Sequence, residues 1–242
     1  MNKPFYRIIR PIHSDHFGQD HLLDSRYCGE TISLIHSYHI IQKDFKQVFD
    51  FIELHDKNKE TFSHRLYELL LRVCTEFENN CKGILIANGY VYSSNLNATD
   101  YFKINSASKL NEYEVKLSIW NPTELIFKPF ENWNGSTYLP LNWYQAYNNV
   151  KHNRSTEFEK ASLDNVTKAI GGLFVILASQ FGRLVFNPYQ PTMMTFGSDG
   201  FHTVQDSIFS IKFPQWDASE NIYQWDSIKN SSDPFQEFNF NV

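Results

Sequence analysis

The chain has 242 residues, a formal net charge of −5 and 42% apolar residues, among them 21 Phe and 13 Tyr. That length and composition give one large domain with a substantial core and exclude a disordered chain, while the acidic balance excludes a broad phosphate-tracking surface but leaves room for a small basic site. No run approaches the roughly 18 apolar residues of a membrane span, the start is interrupted by Arg7 and Arg10, and the three cysteines form no C-x-x-C pair, so we expect a cytoplasmic protein without membrane contact, disulfide framework or zinc.

Residues 1–28 lack periodicity and read as an extended arm with a His/Asp loop (His13, Asp15, His16, Asp20, His21). Its spacing matches no ligand pattern, so neither a metal nor another cofactor is expected. A first helix is expected from Thr31 to His55, where Ile32, Ile35, Ile41, Phe45, Val48, Phe49 and Ile52 recur at helical steps. A second follows from Thr61 to Ile84, with Leu66, Leu69, Leu70, Val73, Phe77 and Cys81 on one face. Arg65, Glu68, Arg72 and Glu76 border that face at three- and four-residue steps, which fits a ladder of ion pairs or an Arg72 aimed into a neighbouring groove. Gly89 to Asn97 reads as a loop, with a short helix from Asp100. The alternation over Tyr113–Ile119 and the run Leu125–Phe127, separated by Asn121-Pro122, predict a β-hairpin near 110–130.

Pro140 opens a third helix with Trp143, Tyr147 and Val150 as its buried stripe. A fourth runs from Phe158 to Phe181, and Gly182 supplies its stop. Gly171 and Gly172 inside it cost about 1 kcal/mol each relative to alanine. A close approach by another helix, within the chain or across a dimer, justifies them. Beyond Asn187-Pro188 the chain turns rich in Pro, Gly, Ser and aromatics, with one short strand at Phe209–Phe213. Trp216, Trp225, Phe235, Phe238 and Phe240 are too many rings to stay exposed, so they dock on the helices or on a partner subunit. The expected architecture is a mainly α helical bundle with an inserted hairpin over 1–186, and an extended segment over 187–242 packed on it.

Chemistry concentrates at the end of the third helix. Tyr144, Asn148, Lys151 and His152 are expected on one face, Asn148 within reach of His152, and Arg154 follows at the next junction. One imidazole, two cations and an orienting amide are the parts that metal-free RNA cleavage needs. The imidazole takes the 2′-OH proton, and the cations meet the charge on phosphorus. The same residues also make an ordinary polar helix end, with cations complementing the dipole.

The run Trp143-Tyr144-Gln145-Ala146-Tyr147-Asn148-Asn149-Val150-Lys151-His152-Asn153-Arg154, followed by the apolar helix Leu163–Leu177, resembles the HEPN superfamily over roughly residues 31–84 and 140–182. The resemblance implies an antiparallel four-helix core, homodimerisation, and often metal-independent RNA cleavage in bacterial toxin and antiviral systems. The family motif is an arginine four to six residues before a histidine. His152 matches the histidine, whereas no arginine precedes it on this helix, and Arg154 and Arg72 are the alternatives. The expectations are therefore His152 as base, Lys151 and Arg154 on phosphate, Asn148 orienting, Tyr144 and Arg72 binding substrate, and RNA, a second copy and a protein encoded nearby as partners. The alternative is a catalytically inactive HEPN-like interaction module or nucleotide-sensing subunit.

Overall fold

A helix that is apolar all round has to be covered all round. The computed structural model describes residues 3–10, 20–182, 194–196, 199–204, 207–221 and 223–242. In chain order the elements are α1 (Thr31–Val48), α2 (His64–Ala87), α3 (Ala98–Phe102), α4 (Ile104–Ser108), β1 (Glu114–Leu117), β2 (Leu125–Phe127), α5 (Asn142–His152), α6 (Arg154–Glu157), α7 (Leu163–Phe181), β3 (Met194–Phe196), β4 (His202–Val204), β5 (Phe209–Lys212) and α8 (Trp225–Ile228). The protein is mainly helical, as expected. His13, Asp15, His16 and the Asn187-Pro188 turn lie outside the described residues.

Every residue of α7 from Ala169 to Phe181 is buried. Its longest contact is with α2, while α1 and α5 pack on other sides. A five-stranded antiparallel sheet in the order β2-β1-β5-β4-β3 lies over its middle, where Phe174 packs against Phe209 with centroids 5.8 Å apart. The hairpin of β1 and β2 is antiparallel, with Val115 opposite Phe127. It is no isolated insertion, however: β5 adds to the other edge of β1, with Val115 opposite Ile211 and Leu117 opposite Phe209. Val115 and Leu117 turn to the core. Lys116, on the opposite face, is buried too, because its ammonium reaches Asp199 at 2.5 Å and lies 4.9 Å from the Phe201 ring.

The two central glycines are used within one chain. A Cβ on Gly171 would meet Phe127 at 2.6 Å, and one on Gly172 would meet Trp143 at 2.8 Å. Side chains from β2 and α5, rather than the backbone of another helix, occupy the space. With Ala169–Phe181 wholly buried, this stretch of α7 presents no surface through which a second copy could pair.

The C-terminal end of α7 is closed by the chain's two ends. Ile9 donates its amide to Ser179 O (2.9 Å), and Tyr27 donates its hydroxyl to Gln180 O. Buried Arg7, held at φ +54°, donates from Nε to Gln180 Oε1 (2.8 Å), and Gln180 in turn donates to Asn80 Oδ1 (2.9 Å). The guanidinium fills the space beside Gly83 where any side chain would collide. Gln236 pairs with the first segment through its amide to Pro4 O (3.0 Å) and its carbonyl from Tyr6 N (3.2 Å). Phe235 packs on Tyr6, Tyr27 and Trp225, and Phe238 donates its amide to Asn88 Oδ1 (2.9 Å). The aromatic tail therefore docks on its own chain. His21, from the loop weighed as a metal site, packs edge-on to Tyr27 and Tyr223.

Several expected helix ends move, the second helix running from His64 to Ala87 and the third starting at Asn142, and the two largest shifts have visible causes. The first helix stops at Val48 because Leu54 and Asp56 leave to bond Asn121, through Asn121 N to Leu54 O (2.8 Å) and Asp56 N to Asn121 O (3.1 Å). The fourth begins at Leu163, since Ser162 caps it and accepts from Asn165 N. The close fit of Gly171 yields a test by coupling. Gly171→Ala is expected to lower unfolding free energy by about 1–3 kcal/mol through overpacking. In a Phe127→Leu background the same change should cost distinctly less, and equal losses in denaturant titrations of both backgrounds would contradict the contact.

Candidate functional site

The polar end of α5 is exposed because the helix buries its other side. Trp143, Tyr144, Ala146, Tyr147 and Val150 face the core, and Trp143 Nε1 donates to Pro129 O at 2.9 Å. The expected one-face cluster separates along this helix. Tyr144 is a core residue, packed on Phe77 at 5.7 Å, with its hydroxyl donating to Glu78 Oε1 at 2.9 Å. Burial, with Glu78 beside it, drives its phenol well above the ordinary range. It is not placed to bind substrate.

Asn148 is half-buried, and among the described residues its side chain makes no hydrogen bond, to His152 or otherwise. The amide pair formed on this turn is Gln145 Nε2 to Asn149 Oδ1 (3.1 Å). His152 is the last residue of α5, exposed, with no hydrogen-bond partner among the described residues. Lys151 folds back along its own helix and donates to Tyr147 Oη at 3.0 Å. That bond raises its ammonium pKa, so the group stays charged.

Arg72 belongs to another face. It bonds Asp44 Oδ2 of α1 at 2.5 Å, while α5 meets α2 through Phe77 and Glu78. Neither Glu68 nor Glu76 completes the expected ladder through Arg72, although Arg65 and Glu68 do pair at 3.6 Å. Arg72 lines an open groove of about 280 Å³ between α1 and α2, with Ile40, Ile41, Leu71 and Thr75. Glu76 also lines it, and burial raises its carboxyl pKa.

Arg154 makes a contact that the sequence does not show. Its Nη2 lies 3.2 Å from Nδ1 of His64, the first residue of α2. A guanidinium only donates, so in this contact Nδ1 accepts and the ring proton sits on Nε2. The cation also lies over the rings of Tyr67 (5.0 Å) and Phe158 (5.6 Å). The join is built by backbone. Leu163 N donates to Thr61 O (2.8 Å) and Asp164 N to Lys59 O (3.0 Å), which pins the start of α2 against the start of α7. Phe62 and His64 then meet Phe158 at 5.6 and 4.8 Å. Sequence reading missed His64 because its partner lies 90 residues away. The cluster of Phe62, His64 and Tyr67 around the start of α2 was the available signal.

Exposed where α5 ends and α2 begins are His152, Lys151, Arg154 and His64. Among the described residues none of these forms an ion pair with a carboxylate. No three of the described His, Cys, Asp and Glu gather as a metal-binding group, and no described helix is long and apolar enough to cross a membrane.

If Tyr144 is structural, Tyr144→Phe is expected to lower unfolding free energy by about 1–3 kcal/mol, by removing a bond to a carboxylate. It should leave RNA affinity unchanged in the folded protein. Unchanged stability with lost RNA affinity, read by denaturation and fluorescence anisotropy, would return Tyr144 to the substrate face. Comparison of the chain with protein-family models, with curated proteins and with solved structures finds no match.

Proposed function

We propose that the chain acts on RNA at the exposed end of α5, as a metal-independent endoribonuclease of HEPN-like type serving a bacterial stress or antiviral response. The observation that carries this reading is an exposed imidazole, His152, with no hydrogen-bond partner among the described residues, in sequence beside Lys151 and Arg154, neither of which pairs with a carboxylate among those residues. His152 takes the proton of a ribose 2′-OH, and the 2′ oxygen attacks phosphorus. The bond to the 5′ oxygen breaks, that oxygen takes a proton from solvent, and a 2′,3′-cyclic phosphate remains. Lys151 and Arg154 stabilise the charge on the phosphate oxygens. The overall charge of −5 fits a local rather than a chain-long contact. A homodimer, part of the same reading, needs a surface other than the buried stretch of α7.

A second reading is an inactive interaction module. It is favoured by one specific observation: Asn148 does not hold the His152 ring, and no other described residue bonds it before substrate arrives.

Cleavage is expected to persist in EDTA and to spare DNA and 2′-O-methyl RNA. His152→Ala should slow it by about 10²–10⁴-fold, the usual share of a general base. A folded His152→Ala protein that cuts as fast as the parent would remove the histidine from the chemistry. A parent that cuts no RNA, alone or with proteins encoded nearby, would favour the inactive module.

A further inference from the structure

Arg154 is placed unusually for a residue that only clamps phosphate. Its guanidinium lies 5.0 Å from the Tyr67 centroid and 5.6 Å from that of Phe158. Those two rings are themselves only 5.8 Å apart. That separation is far shorter than the sum of the two distances, so the rings do not sandwich the cation between them. Arg154 is exposed, so part of its surface meets solvent. His64 fixes the rotation of the plane within itself, by accepting at Nδ1 from Nη2 (3.2 Å). Beside it stands Phe62, 48% exposed and edge-on to Phe158. The parts come from the chain's 62–67 and 154–158 stretches, and backbone bonds between 59–61 and 163–164 hold them together.

A flat cation flanked by aromatic rings and exposed to solvent offers a stacking surface. Bases stack on guanidinium planes and on aromatic side chains whatever their identity, because each has a π face. A base within a duplex has both faces covered by its neighbours and cannot use the surface. We propose that Phe62, His64, Tyr67, Phe158 and Arg154 form a platform for an unpaired base, which makes the substrate of the neighbouring His152 single-stranded RNA. The proposal rests on the RNA reading of this face. The base lies flat on the Arg154 plane with Phe62 against its edge, and His64 Nε2–H is free to donate to a base or phosphate oxygen. The connection from α5 through α6 carries both His152 and the platform cation, so seating the base places the adjoining phosphate near the end of α5.

The test measures binding without cleavage, using the full chain and a fluorescently labelled 2′-O-methyl RNA, free or annealed to its complement. The parent is expected to bind the unpaired strand about tenfold or more tighter than the duplex. Phe62→Ala removes an exposed ring, and Arg154→Lys keeps the charge but loses the plane. Each should weaken binding of the unpaired strand by about 5- to 100-fold, the range of one base stack, and Phe62→Ala, which touches no phosphate-binding group, should leave duplex binding as it was. Melting temperatures equal to the parent's establish that both variants fold. Equal affinity for the two RNA forms, or variants that bind the unpaired strand as the parent does, would overturn the platform while leaving cleavage by His152 intact. A parent that binds neither form at low salt would overturn the platform together with the RNA reading beneath it.

Discussion

The all-round burial of α7 is the constraint on which the rest of the chain depends. From Ala169 to Phe181 this helix has no exposed residue, and its few polar groups are met internally: Thr167 Oγ1 donates to Leu163 O, Ser179 Oγ to Ile176 O, and Gln180 binds Arg7 and Asn80. Such a helix cannot exist in water without a full sheath. Three helices, a sheet and both ends of the chain supply it. Gly171 and Gly172 let Phe127 and Trp143 approach where larger residues would hold the sheet and α5 away. The extended ends are therefore structural. Residues 3–10 and 235–240 seal the end of α7 that the sheet does not reach.

The exposed face owes its position to the same helix at its other end. The chain enters α7 through a join in which Leu163 and Asp164 bond the residues just before α2. That join brings His64, Tyr67 and Phe62 beside Arg154 and Phe158. Along α5, burial of Trp143, Tyr144 and Tyr147 against α7 and α2 turns Asn148, Lys151 and His152 outward. The core decides which residues of this turn reach solvent, and on that ground Tyr144 drops out of the site.

The periodic segments were legible in the sequence. Helical spacing locates α1, α2, α5 and α7, and alternation locates β1 and β5, because burial of one face imposes those periods, while β2 was read from the apolar run after Asn121-Pro122. Helix ends were less so. Phe49 and Ile52 continue the apolar spacing of α1, yet the backbone turns away to pair near Asn121, a demand set by a residue far along the chain. Strand partners were hidden for the same reason: nothing in Phe209–Lys212 announces that it joins β1. At the site, the exposure of Lys151, His152 and Arg154 was readable from their place at a helix end. The loss of Arg72 to Asp44 and the gain of His64 were not, since both contacts join separate elements. A helical face counted in steps of three and four also cannot say how far the core extends around it, and Tyr144 lies on the buried side of that boundary.

The claim that joins these observations is that RNA meets the protein where α5 ends and α2 begins. Ultraviolet cross-linking of bound RNA to the full chain, followed by mapping of the adducts to peptides, reads that contact directly. The account predicts adducts within residues 59–67 and 148–160. Adducts confined to the α1–α2 groove around Arg72, or to the 88–97 loop, would contradict it.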